Sequence, residues 1–458
     1  MDWSPDSWKS KPNQQPFRYE HERSHREAVE RLRNMPPLVT SWEIERLREL
    51  LAEAQVGRRF LLQGGDCAET FDDCVPSVIT NKLKILLQMS LVLVQAFQGP
   101  VIRVGRVAGQ YAKPRSKPTE TRDGVTLPSF FGESVNAPDF TAAARQPDPA
   151  RMLTAHQHAA VTLNFIRSLT AAGFADAHHT EYWELPFRKN VPQSVHSEYK
   201  ATTRRLSEAL RFMSALGERS VAELTRVDFY TSHEALHLDY EAAQTTTVPR
   251  RDGHYLLSTH FPWVGERTRQ IDGAHIEFLR GIRNPLAMKV GPSATPADVV
   301  KLIAKLNPNN EPGRLTLVTR LGAERVGELL PPIVEAVRKE GMLVLWVTDP
   351  MHGNSHITPG GRKTRHFDEI MQEVNASFDV HERIGSTLGG VHFEMTGDDV
   401  TECTGGVSGV ADSDKGDKYQ TTCDPRLNYG QSLEMSFLIA RRLQGRSRPS
   451  SMPPSSSY

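Results

Sequence analysis

The sequence predicts an α/β protein built on a (β/α)8 TIM barrel, with a helical extension at its N-terminus and a helical insertion. Apolar runs of strand length recur along the 458-residue chain. Most of these runs alternate with segments whose apolar residues recur at helical spacing, a pattern typical of parallel α/β folds. Several runs end directly in polar or charged residues. Active sites of such barrels lie at the C-terminal ends of the strands, so these residues are the first candidates for function.

Nine runs compete for the eight strand positions of the barrel wall. They lie near residues 60, 103, 179, 229, 257, 288, 317, 345 and 393. Only a short charged segment separates the run near 257 from its neighbour, so we assign that run to an elaborated loop. The other eight, including the run near 179, are predicted to form the wall.

The N-terminal residues 1–56 are predicted to form an arm followed by two helices, at Tyr19–Arg33 and Ser41–Ala54. Ser41 is the expected cap of the second helix. The arm contains two tryptophans without any periodic pattern, so it is expected to pack on another surface through Trp3 and Trp8.

The barrel itself is predicted to span residues 57–444. Residues 117–150 are rich in Pro, Asp and Ser and indicate a long loop that could serve as a lid. A helix pair at 197–216 is too long for a minimal crossover, which indicates an insertion at about 190–222. The Ser/Pro-rich tail at 445–458 is expected to be disordered.

Composition excludes several classes of function. Lys plus Arg and Asp plus Glu both number 55, so the formal net charge is zero and nothing favours a nucleic-acid partner. Four cysteines are too few for a fold built on disulfides, and no apolar run reaches the roughly 18 residues of a membrane span. The polar N-terminus argues against a secretory signal. The sequence therefore predicts a cytoplasmic protein with no membrane partner.

Four potential metal ligands lie at the ends of separate strand-like segments. Cys67 ends the run FLLQGGDC, and His352 follows the run LVLWVTDP. Glu394 lies in VHFEMT, and Asp424 lies in the turn TTCDPRLN. A histidine alone is more often structural. One thiol, one imidazole and two carboxylates together predict a divalent-metal site, although no local spacing such as HExxH marks it.

A cluster of cations follows the second strand. Arg106, Lys113 and Arg115 lie at its end and in its loop. Such a cluster suits a phosphate, but a solvated basic loop explains it equally well.

Two further cations are stronger signals because they lie within or directly after strands. Lys289 lies inside the run LAMKVGP, and Arg320 ends the run LTLVTR. Burying a cation is costly without an anionic partner or ligand. The partner could be an internal carboxylate, Glu234 or Glu266, or it could be a bound anion.

The motifs resemble those of the type II 3-deoxy-D-arabino-heptulosonate 7-phosphate (DAHP) synthases. The matching segments run from residue 60 to residue 428 and are FLLQGGDCAETF, GRVAGQYAKPRS, SHEALHLDYE, WVGERTRQIDGAH, MKVGP, RLTLVTRLG, DPMHGN, GRKTRHFDEI, HFEMTGDDVTECTGG and CDPRLN. The resemblance implies a (β/α)8 barrel that condenses phosphoenolpyruvate with erythrose 4-phosphate, the first reaction of the shikimate pathway. It also implies a divalent metal, with Mn²⁺ or Co²⁺ expected.

The resemblance also implies roles for particular residues. The implied metal ligands are the four already singled out: Cys67, His352, Glu394 and Asp424. The implied phosphoenolpyruvate contacts are Arg106, Glu266, Arg267, Lys289 and Arg320, and the implied contacts of the sugar phosphate are Lys113, Arg115 and Ser116. Glu266 is expected to position or deprotonate the attacking water, and Lys289 is expected to take part in proton transfer. Guanidinium groups bind carboxylates and phosphates bidentately, which fits these assignments.

One segment departs from the family pattern. Phe131, Gly132 and Glu133 stand where an Arg-Gly-Asp type segment is expected. The departure concerns the detail of the loop near the sugar substrate.

Several alternatives remain open at this stage. Cys423 precedes Asp424 and could form a reversible disulfide with Cys67, although two reduced thiols, one of them binding metal, are favoured. The chain could instead be another metal-dependent barrel enzyme that uses phosphoenolpyruvate, such as an aldolase or a hydrolase, or a regulatory barrel without activity. The family implies feedback by aromatic amino acids, and the arm with its tryptophans predicts a homodimer or homotetramer.

Overall fold

The computed structural model describes residues 3–171, 193–215, 228–406 and 418–444. Eight strands form one sheet: β1 Phe60–Gly65, β2 Val101–Arg106, β3 Tyr230–Thr231, β4 Trp263–Val264, β5 Leu286–Val290, β6 Leu315–Thr319, β7 Leu345–Thr348 and β8 Leu388–Glu394. The helices are α1 Glu22–Arg33, α2 Ser41–Gln55, α3 Pro76–Phe97, α4 Ala142–Arg145, α5 Ala150–Ala171, α6 Gln193–Ala215, α7 Leu238–Ala243, α8 Ala274–Leu279, α9 Pro296–Leu306, α10 Val326–Lys339, α11 Phe367–Ile384 and α12 Tyr429–Gln444. Three short antiparallel hairpins decorate the loops, pairing Thr119–Arg122 with Val125–Pro128, Thr245–Thr247 with His254–Leu256, and His356–Ile357 with Lys363–Thr364.

The sheet closes into a barrel. Its order is β3-β2-β1-β8-β7-β6-β5-β4, and every pair of neighbours is parallel. The two end strands meet through a parallel bridge between Glu234 and Trp263. Two hydrogen bonds support this bridge, from Ala235 N to Trp263 O (2.9 Å) and from Trp263 N to His233 O (3.0 Å). The order around the ring is therefore the order along the chain, which confirms the (β/α)8 barrel.

The wall differs from the prediction at one strand. The run near 257 lies outside the wall, as expected, in the hairpin that contains His254–Leu256. The fourth wall strand is Trp263–Val264, which is not among the nine runs of the sequence analysis. Two residues between Pro262 and Gly265 are too short to give a periodic pattern. The strand expected near 179 lies outside the described residues.

The N-terminal arm packs on its own chain. Trp8 is buried in the main core cluster. Trp3 Nε1 donates a hydrogen bond to the backbone oxygen of Glu277 in α8 (2.9 Å), and Ser7 Oγ donates to the carboxylate of the same residue (2.9 Å). The arm therefore covers its tryptophans within one subunit, and they give no reason to expect an oligomer.

The second helix is capped one residue earlier than expected. Thr40 is the N-cap of α2, and Ser41 is already helical and buried. Thr40 Oγ1 accepts a hydrogen bond from Glu43 N (3.4 Å), while the Glu43 carboxylate accepts one from Thr40 N (2.8 Å). This reciprocal pair is a capping box.

Helix α2 closes the N-terminal end of the barrel. Its buried residues share one apolar cluster with inner residues of the wall; the helix contributes Leu47, Leu50, Leu51 and Ala54, and the wall contributes Leu61, Ile102, Val104, Tyr230, Trp263, Ala287, Val318, Leu345 and Val347. Residues 1–56 therefore share their core with the barrel.

Helix α3 begins at Pro76, a proline in its first turn, and ends at Phe97. By length and composition alone it could cross a membrane, but 67% of its apolar window is buried inside the protein. It packs against β1, β2 and α12 in the outer ring. The helix pair expected at 197–216 is a single helix, α6, over its described part.

Candidate active site

Every wall strand delivers a polar residue to the C-terminal rim of the barrel. Cys67 follows β1, Arg106 ends β2, Glu234 follows β3, Glu266 and Arg267 follow β4, Lys289 lies in β5, Arg320 follows β6, Asp349 and His352 follow β7, and Glu394 ends β8. Asp424 lies in the turn before α12. Most of these residues line one cavity, together with Gln110, Lys113, Pro114 and Trp263. The structure therefore brings most of the residues singled out from the sequence to one cavity.

A glycine allows β1 to deliver its thiol. Gly65 has φ +145°, and a Cβ there would lie 2.7 Å from the backbone oxygen of Arg106. Only glycine permits this approach between neighbouring strand ends, so the backbone turns directly into Cys67.

Three of the four expected metal ligands form a compact group. One ligand atom from each of Cys67, Glu394 and Asp424 lies within 4.8 Å of the other two. His352 joins them through Glu394, because its Nε2 lies 3.0 Å from Glu394 Oε1. A thiolate, an imidazole and two carboxylates are a donor set that suits a divalent first-row metal.

Glu394 is held as an anion. Arg106 Nη2 (3.0 Å) and Arg365 Nη1 (2.7 Å) donate hydrogen bonds to its two oxygens. Burial alone would raise the pKa of this carboxyl, but His352, Arg365 and Arg106 hold it well below its usual range. The carboxylate is therefore ready to bind a cation at neutral pH.

A lysine bridges the other two ligands. Lys113 Nζ lies 2.5 Å from Cys67 Sγ and 2.8 Å from Asp424 Oδ2. Lys363 Nζ bonds to the second Asp424 oxygen (3.0 Å). Burial raises the pKa of Asp424, but Lys113 and Arg365 outweigh burial and hold this pKa well below its usual value. These cations compensate the negative charge of Asp424.

The two thiols of the site are close but not bonded. Cys423 Sγ lies 2.8 Å from Cys67 Sγ, and both cysteines are free. This is a hydrogen-bond separation, well beyond the roughly 2.05 Å of a disulfide. Burial, followed by the hydrogen bond with Cys423, raises the pKa of Cys67.

The internal partner of Lys289 is Asp349, rather than Glu234 or Glu266. Burial lowers the pKa of Lys289 to about 8, although the Asp349 carboxylate opposes the shift. Asp349 Oδ2 also accepts a hydrogen bond from His352 Nδ1 (2.7 Å). This contact orients His352 so that its Nε2 faces the metal ligands, as carboxylates behind ligating histidines do.

The remaining cations face the cavity around a tryptophan. The guanidinium of Arg106 lies 5.2 Å, and the ammonium of Lys289 5.9 Å, from the ring centre of Trp263. Arg320 donates through Nη2 to the backbone oxygen of His352 (2.6 Å), whereas its buried Nε has no hydrogen-bond partner within the described ranges. An unpaired buried donor beside other cations suits an anionic ligand.

The residues expected to hold the sugar phosphate lie towards the edge of the cavity. Ser116 Oγ accepts a hydrogen bond from Arg267 Nη2 (2.8 Å), which links the two expected substrate subsites. Arg115 pairs with Glu120 (3.1 Å) in the hairpin and does not line the cavity. Lys113 alone of the three lines it.

The departing segment beside this edge is a packed loop. Phe131 O accepts a hydrogen bond from Lys113 N (2.8 Å). Gly132 has φ +101°, and a Cβ there would lie 2.2 Å from the backbone oxygen of Tyr111. Glu133 pairs with Arg151. The Phe-Gly-Glu segment therefore positions the backbone that carries Lys113.

Glu266 is fully engaged by its own chain. Its carboxylate accepts hydrogen bonds from Arg269 Nε (2.9 Å) and Nη2 (2.6 Å), Gly291 N (2.6 Å) and Ser293 Oγ (2.8 Å). These contacts, Arg269 foremost, outweigh burial and lower its pKa. In this arrangement Glu266 anchors the loop after β4.

Glu234 is the functional candidate that the sequence analysis did not assign. Its side chain lines the cavity, and its buried Oε1 has no hydrogen-bond partner in the described parts of the chain. Burial raises its pKa even though Lys113, Arg267 and Lys289 act against the shift. The sequence does hint at this role, because Glu234 lies in the segment SHEA directly after β3. The sequence analysis considered Glu234 only as a partner for Lys289.

Comparison with known proteins finds a family model and relatives that match almost the whole chain. A family model described as the class-II DAHP synthetase family matches residues 3–440. A Streptomyces coelicolor protein named phospho-2-dehydro-3-deoxyheptonate aldolase is 48% identical over 434 residues, covering 95% of this chain and 96% of that protein. A Neurospora crassa protein of the same name is 44% identical over 454 residues, covering 96% of this chain and 94% of that protein.

A solved structure, the truncated form of 3-deoxy-D-arabino-heptulosonate 7-phosphate synthase from Thermotoga maritima, aligns with 14% identity and a TM-score of 0.36. The alignment covers 84% of this chain and 87% of that one. This likeness is too low to carry an argument.

Proposed function

The chain belongs to the class-II DAHP synthetase family, and we propose that it condenses phosphoenolpyruvate with D-erythrose 4-phosphate and water. The products are 3-deoxy-D-arabino-heptulosonate 7-phosphate and inorganic phosphate, and the step is the first reaction of the shikimate pathway. Carbon 3 of phosphoenolpyruvate attacks the aldehyde of the sugar phosphate. Water adds to carbon 2, and the resulting hemiketal phosphate expels phosphate.

The metal ligands in this proposal are Cys67, His352, Glu394 and Asp424. A divalent cation held there supplies Lewis-acid polarisation of the aldehyde oxygen. Support comes from the common cluster of three of these ligands and from the contact between His352 and Glu394. We expect Mn²⁺ or Co²⁺.

The cations around Trp263 form the proposed phosphoenolpyruvate subsite. Arg106 at the end of β2, Lys289 in β5 and Arg320 after β6 line the cavity, and so does Arg267 in the loop after β4. The substrate brings a carboxylate and a phosphate, whose negative charges these groups match. Glu266 contributes by fixing the loop that carries Arg267.

The proposed acid and base are Lys289 and Glu234. Glu234 offers the unpaired carboxylate oxygen that can take a proton from the water adding to carbon 2. Lys289, with its pKa lowered to about 8, can return a proton to the new alkoxide. A donor with a pKa near the working pH is suited to this transfer.

Lys113, Arg115 and Ser116 form the proposed subsite of the sugar phosphate. Lys113 bonds to Cys67 and Asp424, two of the proposed metal ligands. If these two side chains held a cation, the Lys113 ammonium would be repelled from it and would be available to pair with a phosphate. Arg267 reaches this subsite through Ser116. The two substrates would thus lie on either side of one arginine.

The observation that carries the proposal is the convergence of the metal-ligand cluster and the cations in one cavity within a chain of this family. The test follows the ultraviolet absorbance of phosphoenolpyruvate with erythrose 4-phosphate present. We expect consumption that stops on chelation and returns with Mn²⁺ or Co²⁺. A Cys67→Ser variant should lose most of the rate. Consumption that does not require the sugar phosphate would contradict the proposed reaction.

Further properties of the family are proposed for this chain as well. We expect a cytoplasmic homodimer or homotetramer whose activity responds to aromatic amino acids. Light scattering at micromolar concentration measures the assembly, and a monomer there would contradict it.

A further inference from the structure

A second group of metal-ligand side chains lies outside the cavity, on the loop after β7 and the start of α11. His356 lies in the short strand His356–Ile357, His366 is the N-cap of α11, and Glu369 lies in its first turn. One ligand atom from each lies within 4.8 Å of the other two. None of these residues lines the catalytic cavity.

The chemistry and spacing of the group suit a transition metal. His356 Nε2 lies 2.5 Å from Glu369 Oε2, and the His356 and His366 rings are 5.0 Å apart between centroids. Two imidazoles and a carboxylate are a common zinc donor set, with ligand atoms about 2.0–2.2 Å from the metal and so roughly 3.4 Å from one another. The side chains of His356 and Glu369 are 45% and 35% exposed, so both can rotate until their ligand atoms reach this spacing.

A buried hydroxyl orients the second histidine. His366 Nδ1 lies 2.7 Å from Thr404 Oγ1, and that hydroxyl donates to the backbone oxygen of Arg365 (3.5 Å). The hydroxyl is therefore available as an acceptor for Nδ1–H, which leaves Nε2 unprotonated. Ligating histidines are usually fixed in this manner, with one ring nitrogen donating to a neighbour and the other binding the ion.

We propose that His356, His366 and Glu369 bind a divalent transition-metal ion of the zinc class, with solvent in the remaining position. The ion ties the hairpin of the β7 loop to the N-terminus of α11. It does not take part in the reaction, since it lies outside the cavity.

The position of this ion gives it a structural consequence. The clamped segment carries Lys363, which bonds to Asp424 (3.0 Å), and Arg365, which bonds to Glu394 (2.7 Å). Both partners are proposed ligands of the catalytic metal. The peripheral ion therefore fixes two cations that balance the charge of the catalytic site.

A simple ion pair between His356 and Glu369 is the competing explanation. It accounts for the short contact but not for the approach of His366 or for the orientation of its ring by Thr404. The positive end of the α11 dipole opposes a bound cation, but the two acidic residues of its first turn, Asp368 and Glu369, offset this.

The test measures the metal content of the full-length protein after stripping with a chelator, loading with Co²⁺ and gel filtration. The wild-type chain should retain two equivalents of cobalt. His356→Gln and, as a second variant, Glu369→Gln should each retain one. His21→Gln, which removes the exposed histidine at the N-cap of α1, is the matched control and should retain two.

The two sites are told apart by their spectra. Cobalt at the Cys67 site should show a thiolate charge-transfer band, and the peripheral site should not, since it has no sulfur ligand. Cys67→Ser should lose that band yet retain the peripheral equivalent, whatever its activity. Thr404→Val should weaken the peripheral binding by about 10- to 100-fold.

A single equivalent in the wild-type chain that shows the thiolate band would overturn the peripheral site, and so would two equivalents in both His356→Gln and Glu369→Gln. Circular dichroism and thermal unfolding of each variant show whether a lost equivalent reflects the site or the fold. If one variant fails to fold, the other decides the question. Failure of the condensation assay would leave this result unaffected.

Discussion

Two carboxyl groups flank the cavity, and their surroundings give them different tasks. Glu266 accepts four hydrogen bonds from its own loop and neighbours. Glu234 has a buried oxygen without a partner in the described part of the structure, and burial raises its pKa. A general base needs a free lone pair and a pKa closer to neutrality than an ordinary carboxyl. Glu234 meets both requirements.

Replacing Glu234 by Gln should lower kcat by about 10²- to 10⁴-fold, the usual contribution of a general base. The KM for phosphoenolpyruvate should change little, because the amide keeps the shape of the side chain. As a base, Glu234 must be ionised, so the wild-type rate should rise as pH passes upward through its raised pKa. That acidic limb should be absent from the kcat profile of the variant, measured by phosphoenolpyruvate absorbance.

Glu266→Gln is the comparison. Its amide would leave Arg269 with a weaker partner, so this variant should mainly raise the KM for phosphoenolpyruvate by loosening the loop of Arg267. The opposite pattern, in which Glu266→Gln loses kcat and Glu234→Gln retains it, would mean that Glu266 is the general base.

The residues of the site could be predicted where a side chain ends a strand or carries a rare charge. Cys67, His352, Lys289 and Arg320 were singled out in this way, and the structure brings all four to one cavity. The pairing of Lys289 with Asp349 could not, because several carboxylates follow the strands and only the barrel geometry selects among them. Glu234 and Glu266 likewise differ in whether their carboxylate oxygens accept hydrogen bonds, and this depends on neighbours that are distant in the sequence.

At the scale of elements, α11 holds two functional loops together. Glu373 is buried in this helix. Its Oε1 accepts hydrogen bonds from Leu321 N (2.8 Å) and Gly322 N (3.0 Å), and its Oε2 accepts one from Asn354 Nδ2 (2.7 Å). One helix residue thus fixes both the loop after β6, which carries Arg320, and the loop after β7, which carries the proposed metal ligand His352.

Glu373→Gln should disturb both loops at once. The amide NH2 of the glutamine would face an N–H group that now donates to the carboxylate, so both groups would lose a hydrogen bond. Each buried polar group left unpaired costs about 1–3 kcal/mol. We expect a corresponding loss in the free energy of unfolding by urea, and a raised KM for phosphoenolpyruvate as Arg320 loosens.

Asp379→Asn makes the same chemical change on the exposed side of α11, where the carboxylate pairs with Arg442, and should stay within about 0.5 kcal/mol of the wild type. If Glu373→Gln matched this control in both stability and KM, the proposed link between the loops would be wrong.

Element boundaries show where local pattern is insufficient. Long periodic segments such as α1 and α2 were predicted in type, and one end of each shifted by one to three residues. Strand β4 was missed since its two residues are defined by pairing with β5 and by closure against β3, neither of which is local. The cap at Thr40 was displaced by one residue because Ser41 offers the same hydroxyl chemistry.

For the whole molecule, barrel closure and the N-terminal helix depend on one another. A closed parallel sheet has no free edge, but its N-terminal opening still exposes inner apolar side chains. Helix α2 covers that opening, and its leucines share a cluster with residues from all eight strands except β8. A residue numbered outside the barrel is therefore part of its core.

Shortening a buried side chain of α2 in this core should destabilise the entire barrel. Leu51 is fully buried in the cluster, so Leu51→Ala should lower the free energy of unfolding by about 2–5 kcal/mol through lost burial and the cavity left behind. Leu343→Ala removes the same atoms from a side chain that is 37% exposed and should cost far less. Urea unfolding followed by both tryptophan fluorescence and circular dichroism makes the comparison. Because α2 and the wall share one core, the two signals should shift together in Leu51→Ala; loss of the helix signal at a concentration of urea where the barrel stays folded would mean that α2 is a separate unit.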